Sequence, residues 1–282
     1  MAAAMGIPAV GRYGVYGVYD YFSHANRARE VERLGYGAIW IGGSPPADLG
    51  WIENALSQTE RIVVGAAVVN IWESPAAVVA RSFHRLEGQF PGRLMLGLGA
   101  GNPEHNARYQ TPRQALESYL DELEAAGVPL VRLFLAARRE RMLRLSATRT
   151  AGAHQYLCTP EQTSQARGIL GSASMLVAEQ KVVLTEELAV AHALGRDRLA
   201  FYLELSNYVS SFRELGFPNL EIGSPAPDEL VEALVYHGTA AQLAAQLSTH
   251  LTAGANHVAI QVTPVDRNPI PVLAELAQSL DL

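Results

Sequence analysis

The densest chemistry in the chain begins at Gly97-Leu98-Gly99-Ala100-Gly101 and runs on through Asn102-Pro103-Glu104-His105. Glycines in such a run either bring backbone amides up to a pyrophosphate or clear room for a flat ring. The pyrophosphate reading needs a helix opening straight after the glycines, and an acid ending a strand about twenty residues later. Asn102-Pro103 blocks the helix and no such acid follows, so the flat-ring reading is the stronger one. A second group is Ala136-Ala137-Arg138-Arg139, with Arg141 and Arg144 behind it. Guanidinium groups at a helix N-terminus suit a phosphate or carboxylate, the alternative being a solvated helix face. Proton carriers are sparse: Tyr19-Asp20, Glu104-His105, Tyr156 and the run Glu179-Gln180-Lys181, while the Asn102 amide can polarise an oxygen. His84, His192 and His250 fall in amphipathic stretches, where exposed or capping roles are expected. No His-Glu-x-x-His spacing and no serine elbow occurs, and the single cysteine, Cys158, leaves neither a zinc site nor a disulfide framework.

These groups need a scaffold that collects strand ends. Short β-branched or aromatic runs alternate with apolar stripes of helical period. Strands are expected at Arg12–Val18, Ala38–Ile41, Ile62–Val69, Arg93–Leu98, Val128–Leu135, Ala153–Leu157, Met175–Leu184 and His257–Val262. Helices are expected from His24 to Leu34, after Ser74-Pro75, from Pro112 to Ala126, from Glu140 to Thr150, and across Glu186–Leu215 with an interruption near Gly195. Thr159-Pro160-Glu161-Gln162 and Thr239-Ala240-Ala241-Gln242 read as capping boxes. Eight strands joined by helical crossovers predict an α/β protein, a (β/α)8 TIM barrel occupying residues 1–282 as one domain. In a barrel the site lies at the carboxyl ends of the strands, where the groups above fall.

Composition narrows the function further. A net charge of −6 argues against nucleic acid as the main ligand. The longest apolar run, Ile62–Ile71, is too short to span a bilayer, and Met1–Val10 does not read as a signal peptide. A soluble cytoplasmic enzyme with a small-molecule substrate is expected, with no metal, nucleic acid or membrane partner.

Three segments carry a family resemblance: Ala28 to Trp40 (AREVERLGYGAIW), Arg61 to Asn70 (RIVVGAAVVN) and Gly92 to Gly101 (GRLMLGLGAG). In order and spacing they resemble the luciferase-like monooxygenase superfamily, in particular its deazaflavin (coenzyme F420)-dependent oxidoreductase branch. Ala253-Gly254-Ala255-Asn256-His257-Val258 resembles that family's last strand–helix unit. The resemblance implies hydride transfer between the deazaflavin C5 and a small organic substrate. Its alternatives are an FMN-dependent monooxygenase or a family member that binds cofactor without turnover. It implies a non-prolyl cis peptide at Ala67-Val68, with the ring lying against Ala67, Val68, Asn70, Gly99 and Gly101 and beside Gly43-Ser44. A tail phosphate would meet Ala136, Ala137, Arg138 and Arg139, and a homodimer is implied because the family often pairs. The chain departs from the family's usual acids: Gly43-Ser44 stands where many members carry Asp or Asp-His, and Asn102 where some carry Glu. Tyr19, Asp20, Glu104, His105 and Tyr156 are then the candidate proton donors and Asn102 the candidate to polarise an oxygen, with Asn102, His105 and Tyr19 expected to serve the substrate.

Overall fold

The computed structural model describes residues 6–24, 26–101 and 111–282. Strand β1 (Tyr13–Val18) leads through helices α1 (Tyr19–Ser23) and α2 (Arg27–Arg33) to β2 (Ala38–Gly42). Then come α3 (Gly50–Ser57), β3 (Val63–Asn70), α4 (Ala76–Gln89), β4 (Leu94–Gly99) and α5 (Pro112–Ala125). A 3₁₀ turn (Leu130–Arg132) enters β5 (Leu133–Ala136), followed by α6 (Glu140–Arg149), β6 (Gly152–Gln155), α7 (Pro160–Leu170) and β7 (Met175–Leu184). Three helices, α8 (Leu188–Leu203), α9 (Ser206–Glu214) and α10 (Asp228–Leu234), precede β8 (Val235–Gly238). The chain closes with α11 (Ala240–Thr252), β9 (His257–Val262) and α12 (Ile270–Ser279).

Strands β1 to β7 pair in sequence, and β9 fits between β7 and β1, so eight parallel strands close a barrel. The expected fold class is the one observed. Strand β8 was not anticipated. It pairs with Lys181–Leu184 at the far end of β7, and four residues ending in glycine carry too little pattern to read. The fifth strand starts at Leu133 rather than Val128, because Pro129 opens a 3₁₀ turn ahead of it. Both capping boxes form, with Thr159 accepting from the Gln162 amide and Thr239 from that of Gln242. Gly195 does not interrupt its helix. A Cβ there would lie 2.3 Å from Val231 Cγ1, so the glycine lets α8 press against α10, and the break comes instead at Glu204-Leu205.

Alternation along each strand sorts side chains into two layers. Val15, Ile39, Ile41, Val64 and Leu96 face the surrounding helices, while Tyr16, Ala38, Trp40, Met95, Phe134, Val177 and Ala259 fill the barrel interior. A separate apolar cluster, including Leu199, Leu203, Val209, Phe212 and Leu230, joins α8, α9 and α10 to the end of β7.

Three buried histidines set the fold's response to acid. Burial lowers His154 to about 3, and His250 and His257 to about 4. An unfolded chain takes up these protons near pH 6.5, whereas the native state refuses them until about pH 4. Stability should therefore be complete above about pH 7.5 and fall as pH drops from about 6.5 toward 4, by ~2 kcal/mol per histidine at pH 5. Urea unfolding at pH 7.5 and pH 5 measures this, and equal midpoints contradict neutral burial.

Candidate active site

The lower part of the barrel is full. Trp40 Nε1 donates to His257 Nε2 at 2.9 Å, so His257 carries its proton on Nδ1, which lies 2.9 Å from the Gly11 carbonyl. Phe134 and His154 meet the Trp40 ring edge-on. That indole fits because Gly65 has no side chain: a Cβ there would sit 2.5 Å from Trp40.

Above this layer the side chains shrink and a cavity of about 440 Å³ opens at the carboxyl ends of the strands. That volume lies within the range of small-molecule sites. Tyr16 leans across Gly42 and its hydroxyl donates to the Ala67 carbonyl at 3.2 Å. The Ala67-Val68 peptide bond is cis, and the β3–β4 register shifts between Ala66 and Val69. The Val68 side chain lies against β4, where a Cβ at Gly99 would approach it to 2.5 Å and one at Gly97 to 3.0 Å. Gly97 and Gly99 thus leave room for the Val68 side chain, while Gly99 and Gly101 also border the hollow. Ala67 and Val68 form the cavity wall.

Most residues expected around a ring come together here: Gly43, Ser44, Ala67, Val68, Gly99, Gly101, Ala136, Ala137, Arg138 and Arg139 all line the cavity. Asn70 does not line it. Its side chain is turned to the backbone, with Oδ1 accepting from the Trp72 amide at 3.2 Å. Tyr19 is also outside the lining, stacked on Trp51 with ring centroids 4.6 Å apart. Asn102 and His105 lie outside the described residues.

The arginine run divides. Arg144 pairs with Glu140 one turn away, and Arg139 pairs with Glu214 of α9 at 3.0 Å, both as exposed ion pairs. Arg138 turns inward. Its guanidinium lies 4.8 Å from the centre of the Tyr208 ring and donates to the Leu157 carbonyl at 3.1 Å, while its Nε is buried with no partner among the described residues. His154 Nε2, on the cavity's inner wall, is likewise buried with no partner among the described residues. Two buried polar atoms left open beside an apolar wall fit a flat heterocycle with a charged tail.

One side of the cavity is polar in a way that sequence reasoning missed in part. Tyr156, noted there, meets Tyr202 of α8 hydroxyl to hydroxyl at 2.6 Å, and Tyr208 of α9 packs against the Tyr202 ring with centroids 5.0 Å apart. Beneath them Lys181 and Glu179 form a fully buried ion pair at 2.9 Å. Burial lowers the Lys181 ammonium to about 8, against the pull of Glu179. Inward alternation in β1 marks Tyr16 as an interior residue, but α8 and α9 carry no comparable signal.

Comparison with known proteins follows the same line. Residues 8–126 match the family model described as luciferase-like monooxygenase. The F420-dependent glucose-6-phosphate dehydrogenase of Nocardia farcinica is 32% identical over 90 residues, which is 27% of this chain and 27% of that protein. The chain spans about a quarter of the length of the curated relatives it matches. An F420-dependent secondary alcohol dehydrogenase in complex with an F420–acetone adduct superposes with a TM-score of 0.71 at 13% identity, covering 96% of this chain and 99% of that one. The oxygenating constituent of 3,6-diketocamphane monooxygenase of Pseudomonas putida, in complex with FMN, gives a TM-score of 0.69 at 13% identity, covering 95% and 96%. At such identities these two structures show the shared barrel and no more.

Seating of Val68 on Gly99 is testable. Gly99→Ala must push Val68 into the cavity and overpack the wall, at about 1–3 kcal/mol of stability. Urea unfolding of the variant measures the loss, and wild-type stability would contradict the contact.

Proposed function

We infer that this chain belongs to the luciferase-like family, binds coenzyme F420 in the strand-end cavity and transfers a hydride to or from a small organic substrate. The observation that carries the reading is the Ala67-Val68 wall with Arg138 turned inward beside it, its Nε without a partner among the described residues. The short matches to F420-dependent dehydrogenases support it. Its cofactor supplies the hydride chemistry at C5 when bound. Ala67, Val68, Gly99 and Gly101 would hold the ring's face, and Gly43-Ser44 its edge. Arg138 and the first turn of α6 would hold the tail phosphate, since both present donors to an anion. Tyr202, Tyr208 and Met142 line the cavity and would exclude water from it. Asn102 and His105 follow Gly101 in the chain and are proposed to serve the substrate oxygen. Tyr19, packed on Trp51, would act only through the shape of that wall. Among the described residues no helix is long and apolar enough to cross a membrane. Cytoplasmic placement, a single domain and a homodimer belong to the same proposal.

Fluorescence titration tests the reading: F420 should bind saturably, and Arg138→Ala should weaken it about tenfold through the lost charge-assisted bonds. Absence of F420 binding overturns the assignment, and FMN binding with oxygen consumption in its place would favour a monooxygenase. Asn102→Ala should slow turnover more than it weakens cofactor binding, and equal losses would remove Asn102 from the chemistry.

A further inference from the structure

The polar side of the cavity holds more positive charge than its acids balance. Arg198 of α8 reaches in with one terminal nitrogen whose two hydrogens are shared among the Tyr156 hydroxyl at 3.0 Å, the Tyr202 hydroxyl at 3.3 Å and Gln261 Oε1 at 3.1 Å. None of these acceptors is charged. The nearby carboxylate, Glu179, is taken by Lys181 at 2.9 and 3.0 Å. Glu179, Lys181 and Arg198 together leave one excess positive charge, and the Lys181 ammonium lies 3.9 Å from the centre of the Tyr156 ring.

The hydrogens tell the same story. With Arg198 donating to both phenol oxygens, the 2.6 Å contact between Tyr156 and Tyr202 uses one hydroxyl hydrogen. If Tyr202 gives that hydrogen, Tyr156 is left with Gln261 Oε1 at 3.4 Å, a long bond. If Tyr156 gives it, the Tyr202 hydrogen has no protein acceptor among the described residues and turns to the cavity that both rings line. Gln261 Nε2 is also buried with no partner among the described residues. A pair of phenols polarised from behind by a guanidinium is built to donate to an oxygen that carries negative charge.

We propose that Tyr156 and Tyr202, backed by Arg198, form an oxyanion subsite that receives the oxygen of a carbonyl or alcohol substrate. The substrate class is thereby narrowed to compounds whose reacting carbon bears an oxygen, and the pair takes the place of the acids absent after β2 and β4. Tyr202, whose hydrogen turns to the cavity when Tyr156 donates to it, touches the substrate oxygen, whereas Tyr156 and Arg198 are positioning residues that act through it. The assignment rests on the proposed function for its role in turnover, but the subsite itself is a property of the cofactor-free protein.

Titration of the cofactor-free protein with 4-nitrophenol, followed by its visible absorbance, tests this directly. Wild type should bind the phenolate in preference to the phenol, lowering the probe's apparent pKa. Tyr202→Phe should weaken phenolate binding about tenfold, and Tyr156→Phe should weaken it by a smaller factor. Arg198→Gln should weaken it at least as much and Arg198→Lys should recover part of the loss, which a bracing role alone would not produce. Should Arg198→Gln fail to fold, the two phenylalanine variants decide. No phenolate binding by wild type, or equal binding by wild type and both phenylalanine variants, overturns the subsite. Phenolate binding with the expected pattern but no F420 binding would leave the subsite standing and the cofactor assignment refuted.

Discussion

Space inside the barrel governs everything else in this protein. Eight strands enclose an interior that side chains can just fill, and the chain spends that space unevenly. Large rings occupy the lower layer, where Trp40 needs Gly65 to lack a side chain and holds His257 by a hydrogen bond. Above, Gly42, Ala67, Gly97, Gly99 and Ala136 withhold bulk from the strand ends. The result is a solid base under an open mouth, with Val68 as the hinge between them, since its side chain takes the room that the β4 glycines leave.

Charge is confined with similar economy. Glu179 and Lys181 are fully buried together, and a buried pair is held only when its geometry and its other hydrogen bonds are satisfied. Glu179 also accepts from the Leu157 amide at 3.3 Å, and Leu157 in turn accepts from Arg138. The ion pair therefore connects the polar wall of the cavity to the arginine at its other end. Helices α8 and α9 complete that wall from outside the barrel, bringing Arg198, Tyr202 and Tyr208 over strand ends that would otherwise open to solvent.

The legible part of this molecule was the part built by local rules. Alternating strands and amphipathic helices predicted the barrel, and Thr159 and Thr239 marked helix starts because a capping box is complete within four residues. The small residues at strand ends marked most of the cavity lining. Gly195 shows where local rules fail: its missing side chain serves contact with Val231, thirty-six residues on, and nothing nearby in sequence announces it. Tyr202 and Tyr208 were illegible for the same reason. Their function comes from which way α8 and α9 fold back, and the helical periodicity of either segment is silent on that. The arginines fall between these cases, since spacing placed all four at the start of α6 but only the three-dimensional neighbours Tyr208 and Leu157 separate Arg138 from the solvated rest.

The central claim is that a wall made by Ala67 and Val68 and an anchor made by Arg138 belong to one binding site. A crystal structure of the protein grown with coenzyme F420 tests it most directly. The account predicts a tricyclic ring lying against Ala67-Val68, with the tail phosphate in hydrogen-bond reach of Arg138. A cofactor bound elsewhere on the barrel, or an empty cavity at saturating F420, would contradict it.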